Sequence, residues 1–230
     1  AADMLAGNAL AQGVLAALVR KARTGQGGLV QTSLLEALLD FQFEVLTTHL
    51  NDGGRLPQRS AVNGAHAYLG APYGVYQTAD GWLALAMTPS LERLATLMGL
   101  QGLEPWFSDP RQAMRDRDAI KAIIAAGVKV KDTAHWLALL QPADIWCAEV
   151  LDWPGLMASD AFQRLKMVQH ISGATASLDT LRGPLRIDGG PLTSPRAAPE
   201  LGRDRQAIIR EFGLDKAPAG QAGKVRATAP

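Results

Sequence analysis

The chain has 230 residues, 47% of them hydrophobic, and a net charge of +1. That is enough apolar material to bury one large core or two small ones, and so balanced a charge gives no footing for nucleic acid or an anionic membrane. No apolar run approaches the ~20 residues of a bilayer span, the start lacks the basic region of a signal peptide, and one cysteine, Cys147, excludes an internal disulfide and suits a reducing cytoplasm.

Residues 4–21 are predicted to form a helix. Leu5, Leu10, Val14, Leu15 and Leu18 draw an apolar stripe, and Ala6, Gly7, Ala9, Gly13, Ala16 and Ala17 keep its flank thin. Glycine inside a helix costs about 1 kcal/mol against alanine. Gly7 and Gly13 therefore predict a close neighbour, either another backbone or a ligand. Asp3 stands just ahead of this helix. Its plain role there is an N-cap. The positive end of the helix dipole also favours a carboxylate at that place, and a carboxylate can attack an activated acyl group.

Thr24-Gly25-Gln26-Gly27-Gly28 ends the helix, residues 29–33 read as a short strand, and a second helix runs from 34 to 49. After a loop at 51–57, two alternating runs, Tyr73–Thr78 and Trp82–Ala86, flank Asp80-Gly81. This predicts a hairpin in which glycine supplies a positive φ. Ser90, Asp109 and Asp132 open three helices, ending near Gly99, Gly127 and Leu140. Residues 145–151 read as a strand, Ser159-Asp160 opens a short helix, residues 167–187 are short strands, and 203–212 form a last helix. The tail 215–230 has the composition of a disordered segment. The division that follows is an α/β piece (1–50), a compact α+β module (70–165) and a closing segment (175–214).

Several readings fail. Gly25-Gln26-Gly27-Gly28 leads into a strand, unlike a phosphate loop. The histidines His49, His66, His135 and His170 are scattered, with no metal-ligand spacing. Ser33 and Ser60 lack a nucleophile elbow. The five tryptophans read as core or interface, and the charged run Arg111–Asp118 as a solvated helix face.

The start Asp3-Met4-Leu5-Ala6-Gly7, the turn Arg23-Thr24-Gly25-Gln26-Gly27, the helix opening Ser33-Leu34-Leu35-Glu36-Ala37, the hairpin from Ala71-Pro72-Tyr73 to Thr78-Ala79-Asp80-Gly81, and Ala198-Pro199-Glu200-Leu201-Gly202 occur in one order. Together they resemble the class III CoA-transferases, the CaiB/BaiF family. The resemblance implies an α/β fold: part of a Rossmann-like large domain from 1–50 and 175–214, a small α+β domain over 70–165, and an interlocked homodimer. It implies that about the first half of such an enzyme lies upstream. It implies that Asp3 is the nucleophile. Asp3 would take the acyl group from an acyl-CoA as an anhydride, CoA would return to give an aspartyl thioester, and a carboxylic acid acceptor would collect the CoA. The CoA thioester is then a substrate, and no cofactor is bound permanently.

The loop from Asn63 to Gly70 falls where many members carry a Gly-rich or Asn-x-His loop over the active site, although the gap from His66 to Pro72 is one residue longer here. Asn63, Gly64, His66 and Gly70 are the candidate substrate and CoA contacts. As residues alone, His66 is equally an ordinary hydrogen-bonded loop histidine, and the glycines are turns or approaches of backbone N–H groups to an oxyanion. Two other readings stand: an α-methylacyl-CoA racemase of the same family, using this Asp with an upstream His, or a non-catalytic fragment that needs a partner chain and leaves apolar surface exposed.

Overall fold

The computed structural model describes residues 1–64, 66–88, 90–173 and 177–214. The expected disordered tail, 215–230, lies outside them. The chain falls into two compact units, Ala1–Leu151 and another beginning at Asp152.

The first unit opens on α1 (Ala2–Thr24), which ends at Gly25 with φ 74°. The helix begins before Asp3, so Asp3 lies in its first turn and is not the expected N-cap; Ala1 holds that position without a side-chain bond. Of α1 only Ala6 is buried. An 18-residue window of this helix has a mean hydropathy of 1.4, so its length and composition would cross a bilayer. This corrects the expectation that no run approaches a span. The two helix glycines differ. A Cβ at Gly13 would stand 2.6 Å from Val30 Cγ1, whereas Gly7 has nothing within 4 Å.

Residues 29–33 do not form the expected strand; they pair with no strand among the described residues. Apolar residues make a strand only when a neighbouring strand takes their N–H and C=O groups. The expected helix 34–49 is two helices. α2 (Leu34–Phe41) starts on a reciprocal bond between Ser33 and Glu36, and α3 (Phe43–Asn51) follows a break at Gln42 (φ −97°, ψ 13°).

β1 (Gly74–Gln77) and β2 (Trp82–Leu85) form the predicted hairpin, with Gln77 opposite Trp82. Its turn works differently from the expectation, because Gly81 is not among the residues of positive φ. Thr78 Oγ1 accepts the Gly81 N–H at 2.9 Å, and a Cβ at Gly81 would come 3.4 Å from Thr133 Oγ1. Asp80 fastens this turn to the following helices by accepting the Thr133 N–H at 2.8 Å and hydroxyl at 2.9 Å. Those bonds hold its carboxyl below the usual range.

Ser90 caps α4 (Leu91–Met98). The single helix expected from Asp109 is two, α5 (Pro110–Arg115) and α6 (Arg117–Val128), broken at Asp116. The Asp116 carboxylate accepts the Trp106 indole N–H at 2.9 Å. Asp132 caps α7 (Thr133–Leu140), and β3 (Cys147–Glu149) adds to β2. Strand alternation aims Tyr76, Leu83 and Leu85 into a core shared with Leu94, Ile120, Ile124, Val128 and Trp136. Trp136 is buried in the core and Trp106 packs against it, whereas Trp82, Trp146 and Trp153 are exposed.

Arg117 and Asp118 are not a solvated face. Arg117 donates to the carbonyls of Ala67 (2.7 Å) and Gln58, and Asp118 accepts the Ser60 hydroxyl and the Ala61 N–H (3.1 Å). The start of α6 thus grips both ends of the loop 58–67. One turn on, Lys121 is buried, and its Nζ has no hydrogen-bond partner among the described residues. Burial first, and then the Arg117 guanidinium, pull its pKa below the usual amine value, against the Asp118 carboxylate.

The second unit holds α8 (Trp153–Ala158) and α9 (Asp160–Leu165), the hairpin of β4 (Val168–Ser172) and β5 (Ser177–Leu181), the short pair β6 (Arg186–Ile187) and β7 (Gly190–Pro191), and α10 (Arg205–Phe212). α8 is missing from the sequence reading; its signal is Asp152, which caps Gly155 N at 2.8 Å, with Pro154 in the first turn.

Three consequences are measurable. Gly7→Ala is expected to raise the melting midpoint, gaining about 1 kcal/mol of helix propensity, whereas Gly13→Ala lowers it because its methyl meets Val30; thermal denaturation of both decides. Lys121→Met is expected to stabilise by about 1–3 kcal/mol near neutral pH. The folded amine binds its proton less readily than the unfolded one, so wild-type stability rises with pH up to the unfolded pKa, and denaturant titrations of Lys121→Met should lose that rise. Asp118→Ala should loosen the loop by about 1 kcal/mol and speed tryptic cleavage after Arg59 roughly fivefold.

Candidate functional site

A cavity of about 980 Å³ lies in the first unit against the outer face of the three-stranded sheet. The alternation that sends Leu83 and Leu85 into the core turns Ala84 the other way, opposite Val75 on one side and Ala148 on the other. These side chains are too short to fill the space above them. Val45 of α3 and Pro57 close one side, and Trp146 and Cys147 another. Trp146 is 67% exposed. Burial raises the Cys147 thiol pKa above its usual value.

The polar rim comes from the gripped loop. Asn63 adopts a left-handed backbone (φ 59°), and its Nδ2 donates to the Val75 carbonyl at 2.6 Å. Gly74 makes this approach feasible, since a Cβ there would meet the Asn63 carbonyl oxygen at 3.2 Å. Gly64 has φ 36°, and its carbonyl accepts from the Arg59 guanidinium. His66 Nδ1 accepts the Tyr68 N–H at 3.2 Å. A neutral ring so engaged carries its proton on Nε2 and offers a donor there.

Asn63, Gly64 and His66 all line this cavity. Gly70 does not; a Cβ there would face Met114 Sδ at 3.7 Å. Asp3 is exposed and lines neither this cavity nor a smaller one of about 360 Å³ between the second half of α1 and residues 27–30. Gly27, which lines that smaller cleft, accepts from the Arg20 guanidinium through its carbonyl at 2.7 Å. Among the described residues no group of three or more His, Cys, Asp or Glu is placed to hold a metal.

The sequence reading missed Arg59, Ala84, Trp146 and Cys147 as lining residues. The hairpin alternation pointed to Ala84. Nothing local marks Trp146 and Cys147, which reach the cavity only because β3 pairs with β2. Chemically, the arrangement is an apolar cleft with N–H donors and one guanidinium along its rim, fit to hold an organic body by its polar end.

Residues 1–205 match the family model of CoA-transferase family III. The chain is 28% identical over 93% of its length to the (R)-2-hydroxy-4-methylpentanoate CoA-transferase of Clostridioides difficile, covering 54% of that protein. It is 24% identical over 94% of its length to the acetyl-CoA:oxalate CoA-transferase of Acetobacter aceti, again covering 54%. The fold is that of a CaiB/BaiF family protein from Brucella suis, at a TM-score of 0.69 and 23% identity, covering 92% of this chain and 55% of that one. The chain thus spans about half the length of the relatives it matches. With its motifs, its mixed α/β fold and the match over residues 1–205 in agreement, the chain belongs to CoA-transferase family III, the CaiB/BaiF group.

Proposed function

We propose that this chain works in a CoA-transferase that moves CoA from an acyl-CoA to a carboxylic acid, with Asp3 as the nucleophile. The observation that carries the reading is the family match, which runs from residue 1 through the Asp-x-x-x-Gly start, together with the exposure of Asp3 in the first turn of α1. The orphan N–H groups of a first turn suit a carboxylate that must return to its anion after each anhydride or thioester stage.

The Asp3 carboxylate attacks the thioester carbonyl; a C–O bond forms, the C–S bond breaks, and CoA leaves as thiolate. The thiolate attacks the Asp3 carbonyl of the anhydride, releasing the donor acid as its carboxylate and leaving an aspartyl-CoA thioester. The acceptor carboxylate attacks that thioester and expels the thiolate again. The thiolate then takes the acyl carbonyl of the second anhydride, giving the new acyl-CoA and a free Asp3. No proton or electron is needed from elsewhere, so CoA acts as a substrate and no resident cofactor is required. Binding the CoA body aligns the thioester with the carboxylate.

In this reading residues 1–50 and 175–214 belong to a Rossmann-like large domain and 70–165 to the small domain, in an interlocked homodimer. The exposed apolar residues of α1, among them Leu15, Leu18 and Val19, support a helix that is covered in the working enzyme. The single thiol Cys147 suits a cytoplasmic protein.

Asp3→Ala is expected to cut CoA transfer by roughly 10³-fold or more while CoA binding persists. Incubation of the full chain with acyl-CoA and hydroxylamine should leave a hydroxamate on Asp3, read by mass spectrometry. An active Asp3→Ala variant, or a hydroxamate elsewhere, overturns the assignment.

A further inference from the structure

Two glycines interrupt α1, and packing within the chain accounts for only one of them. A Cβ at Gly13 would stand 2.6 Å from Val30 Cγ1, so glycine there lets the following segment lie against the helix. A Cβ at Gly7 would meet nothing within 4 Å. Gly7 is exposed, lies inside the helix and is not among the residues of positive φ. Among the described residues, neither packing nor backbone conformation calls for a glycine where it weakens the helix.

The position on the helix supplies a reason. Residues i and i+4 stand one above the other on a helix face, and every Cα–Cβ bond tilts toward the N-terminus. A side chain at position 7 therefore leans over the turn that holds Asp3. Its Cβ would come about 5–6 Å from the Asp3 Cβ, in the space that a group approaching the carboxylate must cross. The i+3 neighbour, Ala6, is buried and turned inward, so position 7 is the open flank. Asp3 is exposed, is the only acidic residue of α1, and its carboxylate makes no hydrogen bond or ion pair among the described residues. Most of the exposed apolar surface of α1, at Val14, Leu15, Leu18 and Val19, gathers in its second half, away from Gly7.

We propose that Gly7 is a specificity-determining residue of the transfer: its missing side chain is the space in which the thioester carbonyl and the α-carbon of the acyl group sit when Asp3 attacks. The proposal rests on the reading of Asp3 as nucleophile. In the first step a carboxylate oxygen forms a C–O bond to the carbonyl carbon, the C–S bond breaks, and its electron pair leaves with the CoA thiolate. The reacting atoms must approach to about 3–3.5 Å beforehand, which holds the α-carbon close to the helix surface beside Asp3. A methyl group at position 7 would fill that volume. It would crowd a branched α-carbon more than an unbranched one, so glycine admits both kinds of donor and alanine selects the unbranched.

The test is the rate at which the intact enzyme forms an Asp3 hydroxamate in hydroxylamine with propionyl-CoA or isobutyryl-CoA, two donors that differ by one α-methyl group. Mass spectrometry reads the adduct in the wild type, Gly7→Ala and Asn8→Ala. Gly7→Ala is expected to slow trapping about tenfold with propionyl-CoA and about a hundredfold with isobutyryl-CoA, the larger loss being that of a misplacement of about 1 Å. Its melting midpoint should rise all the same. Asn8→Ala strengthens the same helix one position round, without filling the flank, and should keep both wild-type rates. Unchanged rates in Gly7→Ala, an equal loss with both donors, a lowered midpoint, or a wild type that already rejects the branched donor overturns the proposal. In each of those cases a wild-type hydroxamate on Asp3 leaves the transferase reading standing. A wild type that forms no Asp3 hydroxamate with either donor overturns that reading, and the role of Gly7 with it.

Discussion

Strand alternation in β2 organises the first unit. Leu83 and Leu85 must go one way, so Ala84 must go the other. The inward set meets Tyr76, Ile120, Ile124 and Leu94, and this contact makes the core. The outward set is Trp82 and Ala84, and the short side chain of Ala84 leaves room for the cavity. Core and cavity are thus two sides of one four-residue strand. A slip of one residue in its pairing with β1 would turn the leucines toward the cavity and Trp82 and Ala84 toward the core.

The loop over the cavity is organised by a second constraint. Residues 58–64, 66 and 67 form no helix or strand. Their backbone polar groups need partners, and Arg117 and Asp118 provide several of them from the start of α6. This arrangement puts a charged pair to structural use at positions that look, in the sequence, like any solvated helix. Lys121 one turn later shares that neighbourhood with no hydrogen-bond partner among the described residues.

What could be read from the sequence was local. The hairpin was legible from alternation around Asp80-Gly81, and the helix starts from Ser33, Ser90, Asp109 and Asp132, because a cap and its N–H lie within three residues. The family was legible because its motifs keep their order. Of the residues that line the cavity, Asn63, Gly64 and His66 could be singled out from the sequence of their loop. What escaped depends on residues far apart in the chain. Arg117 bonds Gln58 across 59 positions, and Trp146 joins the cavity through a strand pairing. Residues 29–33 show the converse: a strand-like pattern whose partner is not among the described strands. The breaks at Gln42 and Asp116 lie within apolar periodicities that continue on both sides, so periodicity alone misses them.

Cys147 stands where these two sides of the sheet meet. It is opposite Leu85 in register, packs against the core and also borders the open cleft. It is also the only thiol in the molecule. The fold has therefore placed its single thiol at the boundary between its interior and the cleft. A reagent attached there would sense both the tightness of the packing behind it and whatever occupies the cleft in front, without any need to engineer a second label.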